Sequence, residues 1–119
     1  MKEIQNLGPR LEMIHSMIYQ AQQANLYDCI WDCCCDHGYL GMKLLQKSLP
    51  GKVYFVDQVS HITQSLLDLL AKKFDVGEEQ ENAGLTHRYE VRTEDTGNLD
   101  FSESQRHLVI LAGITGNNV

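Results

Sequence analysis

Residues 31–41, WDCCCDHGYLG, bring three adjacent cysteines, two aspartates, a histidine and two glycines into eleven positions. No other stretch of the chain is as rich in reactive groups. Structural zinc wants four ligands converging on one ion, usually from paired C-x-x-C knuckles. Cys33, Cys34 and Cys35 are consecutive, so at least one of their side chains diverges, and no second Cys/His pair follows. No metal is therefore assigned. A dithiol redox centre needs C-x-x-C opening a helix, which is also missing. Cys29 and Cys33 read instead as small packing residues at a crowded strand end. What remains is a strand that ends in an acid, a tight turn, and a helix opening at Gly38-Tyr39, where free backbone N–H groups point outward.

Such a loop needs elements to hold it. Pro9 suits the first turn of a helix, and Leu11, Ile14, Met17, Ile18 and Ala21 recur after it at helical spacing. Arg10, Glu12, Gln20 and Gln22 fall between them as the polar face. A short buried strand is expected over 27–32, and a second helix from Tyr39 through Leu45, stopped by Pro50-Gly51. The run 53–56 predicts a second strand ending at Asp57. Ser60 is placed to cap a third helix reaching Phe74. The acidic stretch 75–84 reads as a loop, 87–92 as a third strand and 108–112 as a fourth. Strands alternating with helices predict an α/β fold, doubly wound and Rossmann-like, with a parallel sheet of about four strands and an N-terminal helix. Ligands of such sheets sit beyond the carboxyl ends of the strands. That rule gathers the 32–38 turn, Asp57, the Glu94-Asp95 pair and Gly113 on one edge.

The chemistry of that edge is acidic. The dinucleotide fingerprint G-x-G-x-x-G and the P-loop pattern are both absent, and Asp32, Asp36 and Asp57 would repel phosphates. Carboxylates suit an ammonium group and ribose hydroxyls, so S-adenosylmethionine fits better than a dinucleotide. The order of motifs resembles the tRNA (adenine-22-N1)-methyltransferase family of Rossmann-like methyltransferases. It runs through Arg10, Leu11 and Ile14, then Asp32 with D-H-G-Y-L at residues 36–40, then Asp57. Val91, Arg92 and Asp95 follow, and then Ala112, Gly113 and Gly116. The resemblance covers all 119 residues but only the front half of the family's usual length. It implies that the turn through Asp32, Cys34, Asp36, His37, Gly38 and Tyr39 wraps the methionine end of the cofactor. Asp57 would take the ribose hydroxyls, Glu94 or Asp95 the adenine amino group, and Ala112 and Gly113 would line the mouth for the target base. Simpler structural roles stand beside these: a helix cap for Asp57, an exposed turn for Glu94-Asp95, a capping or packing role for His37. Cys34 occupies a position where the family usually has glycine, leaving the backbone less room to approach a ligand.

The reaction so implied is in-line methyl transfer to adenine N1, with the base exposed or flipped. Asp36 could offset the charge gained by the product base or contact the cofactor, so no catalytic residue is assigned. A net charge of −6 argues against strong nucleic-acid binding by this stretch alone. Transfer to a small molecule or protein, and a non-catalytic cofactor-binding or dimerising fragment, are the competing readings. The later strands and C-terminal helical region of the family are expected to be absent, so tRNA would be met through regions beyond this sequence. Strand four would then offer a free apolar edge suited to a second copy. With no apolar run long enough for a bilayer and no secretory leader pattern, the chain is expected in the cytoplasm, with no membrane partner.

Overall fold

The computed structural model describes residues 8–33, 38–75 and 88–111. Pro9 opens helix α1 (Pro9–Gln23), followed by β1 (Cys29–Cys33), α2 (Tyr39–Gln46), β2 (Lys52–Asp57), α3 (Ser60–Leu70), β3 (Tyr89–Thr93) and β4 (His107–Ile110). The four strands form one parallel sheet in the order β3-β2-β1-β4. The order reverses between β1 and β4, the kind of switch point where α/β sheets open a crevice. Among the described residues no helix is long and apolar enough to cross a membrane.

Alternation along the strands divides the interior in two. Ile30, Val53, Phe55, Tyr89 and Ile110 point to one face, where Ile18 of α1, Leu40 and Leu44 of α2 and Leu66 and Leu70 of α3 meet them. Cys29, Trp31, Cys33, Tyr54 and Val56 point to the other, against Leu99. All three α-helices share the first face. The steps β1→β2→β3 run in one direction, and right-handed crossovers then put α2 and α3 on the same side. The step from β3 to β4 reverses, so residues 94–106 cross the second face with one 3₁₀ turn (Thr96–Asn98) in place of a helix.

Aromatic side chains supply the cover that a helix would otherwise give. Trp31 stacks on Tyr54 with centroids 3.9 Å apart and planes within 8°. The Arg92 guanidinium lies 5.2 Å and 5.1 Å from the two ring centroids, and Phe101 meets Trp31 edge-on at 5.1 Å. Trp31 Nε1–H donates to His107 Nδ1 at 3.0 Å. Because Nδ1 accepts, the ring proton sits on Nε2, which donates to the Ser102 carbonyl at 2.8 Å. That pair ties the connection to the sheet. Arg106, the residue before β4, grips Asp28, the residue before β1, with Nη2 at 3.0 Å and Nε at 3.2 Å from its two oxygens. These hydrogen bonds hold the Asp28 carboxyl down at about 2.

Three local expectations need correction. The third helix is α only to Leu70; a π turn, Ala71–Asp75, carries the chain on and keeps Phe74 buried. Ser60 makes no capping bond. The cap position is Val59, whose N–H is taken by Asp57 instead. Gln22, placed on the polar face by its spacing, is fully buried. Its Nε2 donates to the carbonyls of Tyr27 (2.9 Å) and Pro50 (2.6 Å), while Oε1 accepts the Tyr27 N–H at 3.0 Å. One amide thus clamps the end of α1 to the starts of β1 and β2. Gly51 must be glycine for this, since its φ is +101° and a Cβ there would lie 2.6 Å from Gln22 Nε2. Gln22→Leu leaves three backbone groups without their side-chain partner and empties a buried amide site, so we expect a loss of about 2 kcal/mol. It would appear as a lower urea midpoint with the slope unchanged. A loss below about 1 kcal/mol would dismiss the clamp.

Beyond β4 the sheet has a free edge among the described residues. Val109 and Leu111 are exposed there, and a groove of about 540 Å³ separates the strand from Ile14 and Met17 of α1.

Candidate functional site

The carboxyl ends of the strands carry the acids that the sequence singled out. Asp32, next to last in β1, turns its side chain onto the helix-covered face. It is only 6% exposed, and Oδ2 accepts the Gly41 N–H at 3.1 Å. Burial pushes its carboxyl up to about 7, with the Gly41 N–H pulling the other way. Asp32 therefore holds the first turn of α2 from the helix-covered face.

Two glycines let that turn come so close. Gly38 caps α2 in the left-handed region (φ +67°), where an added Cβ would sit 2.7 Å from Leu66 Cδ1. At Gly41 a Cβ would be 2.8 Å from Phe55 Cζ and nearer still to Cε2. By sequence Gly38 belongs to the ligand loop, and nothing there gives Gly41 a role. The G-x-x-G spacing at a helix start is the available signal for this close packing. Tyr39, the first residue of α2, is partly buried against the same core.

Asp57 ends β2, beside β1, whose Cys33 is in register with Val56. Its Oδ1 accepts the Val59 N–H at 2.9 Å, an Asx turn leading into α3. Among the described residues its second oxygen takes no hydrogen bond. The capping role and a free acceptor thus coexist in one carboxylate. Glu94 continues β3 by one residue, its N–H donating to the Asp57 carbonyl at 3.0 Å. Its carboxylate stands 3.8 Å from Arg92 Nη1. Asp95 turns back on its own chain, with Oδ1 accepting the Gly97 N–H at 3.1 Å to cap the 3₁₀ turn. A feature absent from the sequence reading is the hydroxyl pair Thr63–Thr93, 2.6 Å apart, which joins α3 to the end of β3. Thr63 Oγ1 donates to the Ser60 carbonyl, so Thr93 is the donor to Thr63.

Asp32, Asp57 and Glu94 thus stand at or next to the ends of three neighbouring strands, which lie about 4.8 Å apart in such sheets. Cys34, Asp36, His37, Ala112 and Gly113 lie outside the described residues. Cys29 and Cys33 are buried thiols of the second face and not in disulfides, in keeping with a packing role. Burial holds the Cys29 thiol above its ordinary range, which suppresses the reactive thiolate. A rim of this kind accepts hydrogen bonds from hydroxyls and attracts cationic nitrogen, and it disfavours phosphate.

A family model described as a methyltransferase domain matches residues 7–119. Searches of curated proteins and of solved structures return no match.

Proposed function

Because the chain belongs to the methyltransferase domain family, whose methyl donor is S-adenosylmethionine, we propose that it methylates N1 of an adenine in tRNA, with adenine 22 as the target. The tRNA acceptor rests on the likeness of D-H-G-Y-L at 36–40, in its order with Asp32 and Asp57, to the adenine-22-N1 enzymes. The observation that carries the cofactor assignment is Asp57: one oxygen accepts the Val59 N–H, and the other takes no hydrogen bond among the described residues.

The residues fit the donor's functional groups. When bound, S-adenosylmethionine supplies a methyl group activated by its sulfonium sulfur. The open Asp57 oxygen accepts from a ribose hydroxyl, and its fixed partner keeps the carboxylate from rotating away. Glu94, or the oxygen of Asp95 not held by Gly97, receives the adenine amino group. Asp32 would favour the ammonium head through its negative charge while keeping α2 in place. Adenine N1 attacks through a lone pair and has no proton to lose first, so the chain's task is alignment and no general base is assigned. N1 lies on the pairing edge, hence the base must arrive unpaired.

The test is transfer of labelled methyl from S-adenosylmethionine to unmodified tRNA, read as 1-methyladenosine after digestion. A tRNA carrying guanine in place of adenine 22 serves as the control. Asp57→Ala should weaken donor binding about 100-fold in titration calorimetry, as expected for losing charge-assisted bonds worth about 3 kcal/mol. Label on a small molecule or protein but never on tRNA would overturn the acceptor. Unchanged affinity in Asp57→Ala would overturn the ribose contact.

A further inference from the structure

Away from the acidic rim, α1 and α2 present a surface poor in acids, Glu12 being the one carboxylate of the two helices. Sixteen residues of this chain are acidic, yet none falls in 13–27 or 37–56. Those two stretches hold most of α1 and all of α2. Between the helices lies a recess of about 280 Å³, lined by His15, Ser16, Tyr19 and Gln20 of α1 and by Lys47, the C-cap residue of α2. Lys47 Nζ stands 5.9 Å from the Tyr19 ring centroid and forms no salt bridge among the described residues. The neighbouring Lys43 is neutralised by Glu12 at 3.0 Å, so Lys47 is the cation left to the recess. The His15 ring lies 6.3 Å from that of Tyr19 with planes 23° apart; it is 7% exposed, and its Nε2 has no hydrogen-bond partner.

We propose that this recess binds one unpaired nucleotide of an RNA substrate, the base stacking on Tyr19 and the adjoining phosphate meeting Lys47. The combination is the one that single-stranded nucleic-acid sites use: an aromatic platform, a cation within reach of the backbone, and hydroxyl and amide groups (Ser16, Gln20) for sugar and base edges. Position argues for a macromolecule. Helix α2 begins at the acidic rim and returns toward the start of β2, so Lys47 lies near the opposite edge of the sheet. The eight residues of α2 rise about 12 Å, a distance that an RNA covers and a methyl acceptor of a few atoms does not. The recess would thus hold the RNA body while the target base reaches the strand ends. This rests on the tRNA reading above.

The test uses the full chain with unmodified tRNA and two variants, Lys47→Glu and Tyr19→Ala, with Tyr19→Phe as the conservative control. Lys47→Glu should weaken tRNA binding at least tenfold. It should also lower the slope of log affinity against log salt by about one, the signature of one lost phosphate contact. Tyr19→Ala should raise the KM for tRNA with kcat unchanged, and Tyr19→Phe should restore it. Affinity for S-adenosylmethionine should stay within twofold in all three, which also reports that they are folded. Lys47 is exposed, so its variant answers even if Tyr19→Ala fails to fold. Wild-type tRNA affinity and salt slope in Lys47→Glu would overturn the recess alone. A wild-type chain that binds S-adenosylmethionine but neither binds nor methylates tRNA would overturn the tRNA reading, and the recess with it.

Discussion

Asp32→Asn should make the protein more stable at pH 8 and a poorer binder of S-adenosylmethionine. The side chain is buried with a single hydrogen bond among the described residues, from Gly41 N–H, and its carboxyl is raised from 3.8 to about 7. A folded-state value above the unfolded one means the fold prefers the protonated acid. That preference is fully present below pH 3.8 and is lost as pH rises through about 7. By pH 8 the ionised group then costs on the order of 4 kcal/mol relative to a neutral one. Asparagine keeps the size and an acceptor oxygen for Gly41 while removing the charge. Urea unfolding of both forms between pH 5 and 8 should give curves that diverge as pH rises, the variant gaining up to a few kcal/mol. His15 does not confuse the comparison. Burial lowers its value, with Lys43 and Lys47 adding to the effect and Glu12 opposing, so it destabilises both forms equally as pH falls below 6.5. A buried charge that costs this much marks a functional position, since stability alone would favour an uncharged residue there. Donor affinity should accordingly fall at least tenfold in the variant. If the two stability curves run parallel, Asp32 carries no buried charge and its role is purely geometric.

The contrast between Asp32 and Asp57 explains how far the site can be read from sequence. Both acids end a β-prone run, and the strand-end rule puts both on the same edge, where they are. Whether such an acid faces solvent or turns inward depends on what lies across from it. Asp32 turns inward because Gly41, nine residues later, leaves the space and an N–H to meet it. Periodicity carries no information about that pairing. Gln22 is misread for a related reason: spacing places it among polar residues, but its partners Tyr27 and Pro50 come together only when β1 and β2 pair. The sheet and its helices are legible because apolar runs of the right length dominate their own segments. The second face is not, since nothing in 94–106 announces that Leu99 and Phe101 will cover Trp31 in the absence of a helix.

Gly41 offers the sharpest test of how the loop is supported. Replacing it with alanine raises intrinsic helix propensity by about 1 kcal/mol. The new methyl would nonetheless overlap the Phe55 ring, whose residue is wholly buried and lies edge-on to Tyr89 with centroids 6.4 Å apart. Neither side can yield cheaply, because the helix start is pinned by Asp32 and by Gly38, itself packed against Leu66 and Phe55. Overpacking of this kind costs about 3 kcal/mol or more and should prevail over the propensity gain. We therefore expect Gly41→Ala to unfold at a markedly lower denaturant concentration and to bind S-adenosylmethionine at least tenfold more weakly, since α2 must move away from the rim. Phe55→Leu alone should also destabilise, by about 1 kcal/mol for a smaller side chain in the same core. In the double variant the leucine opens room for the alanine methyl, so the combined loss should be smaller than the two single losses added, with a coupling of about 1 kcal/mol or more. Strict additivity would mean that the methyl and the ring never compete for the same space, and the close approach of α2 to the sheet would then need another cause.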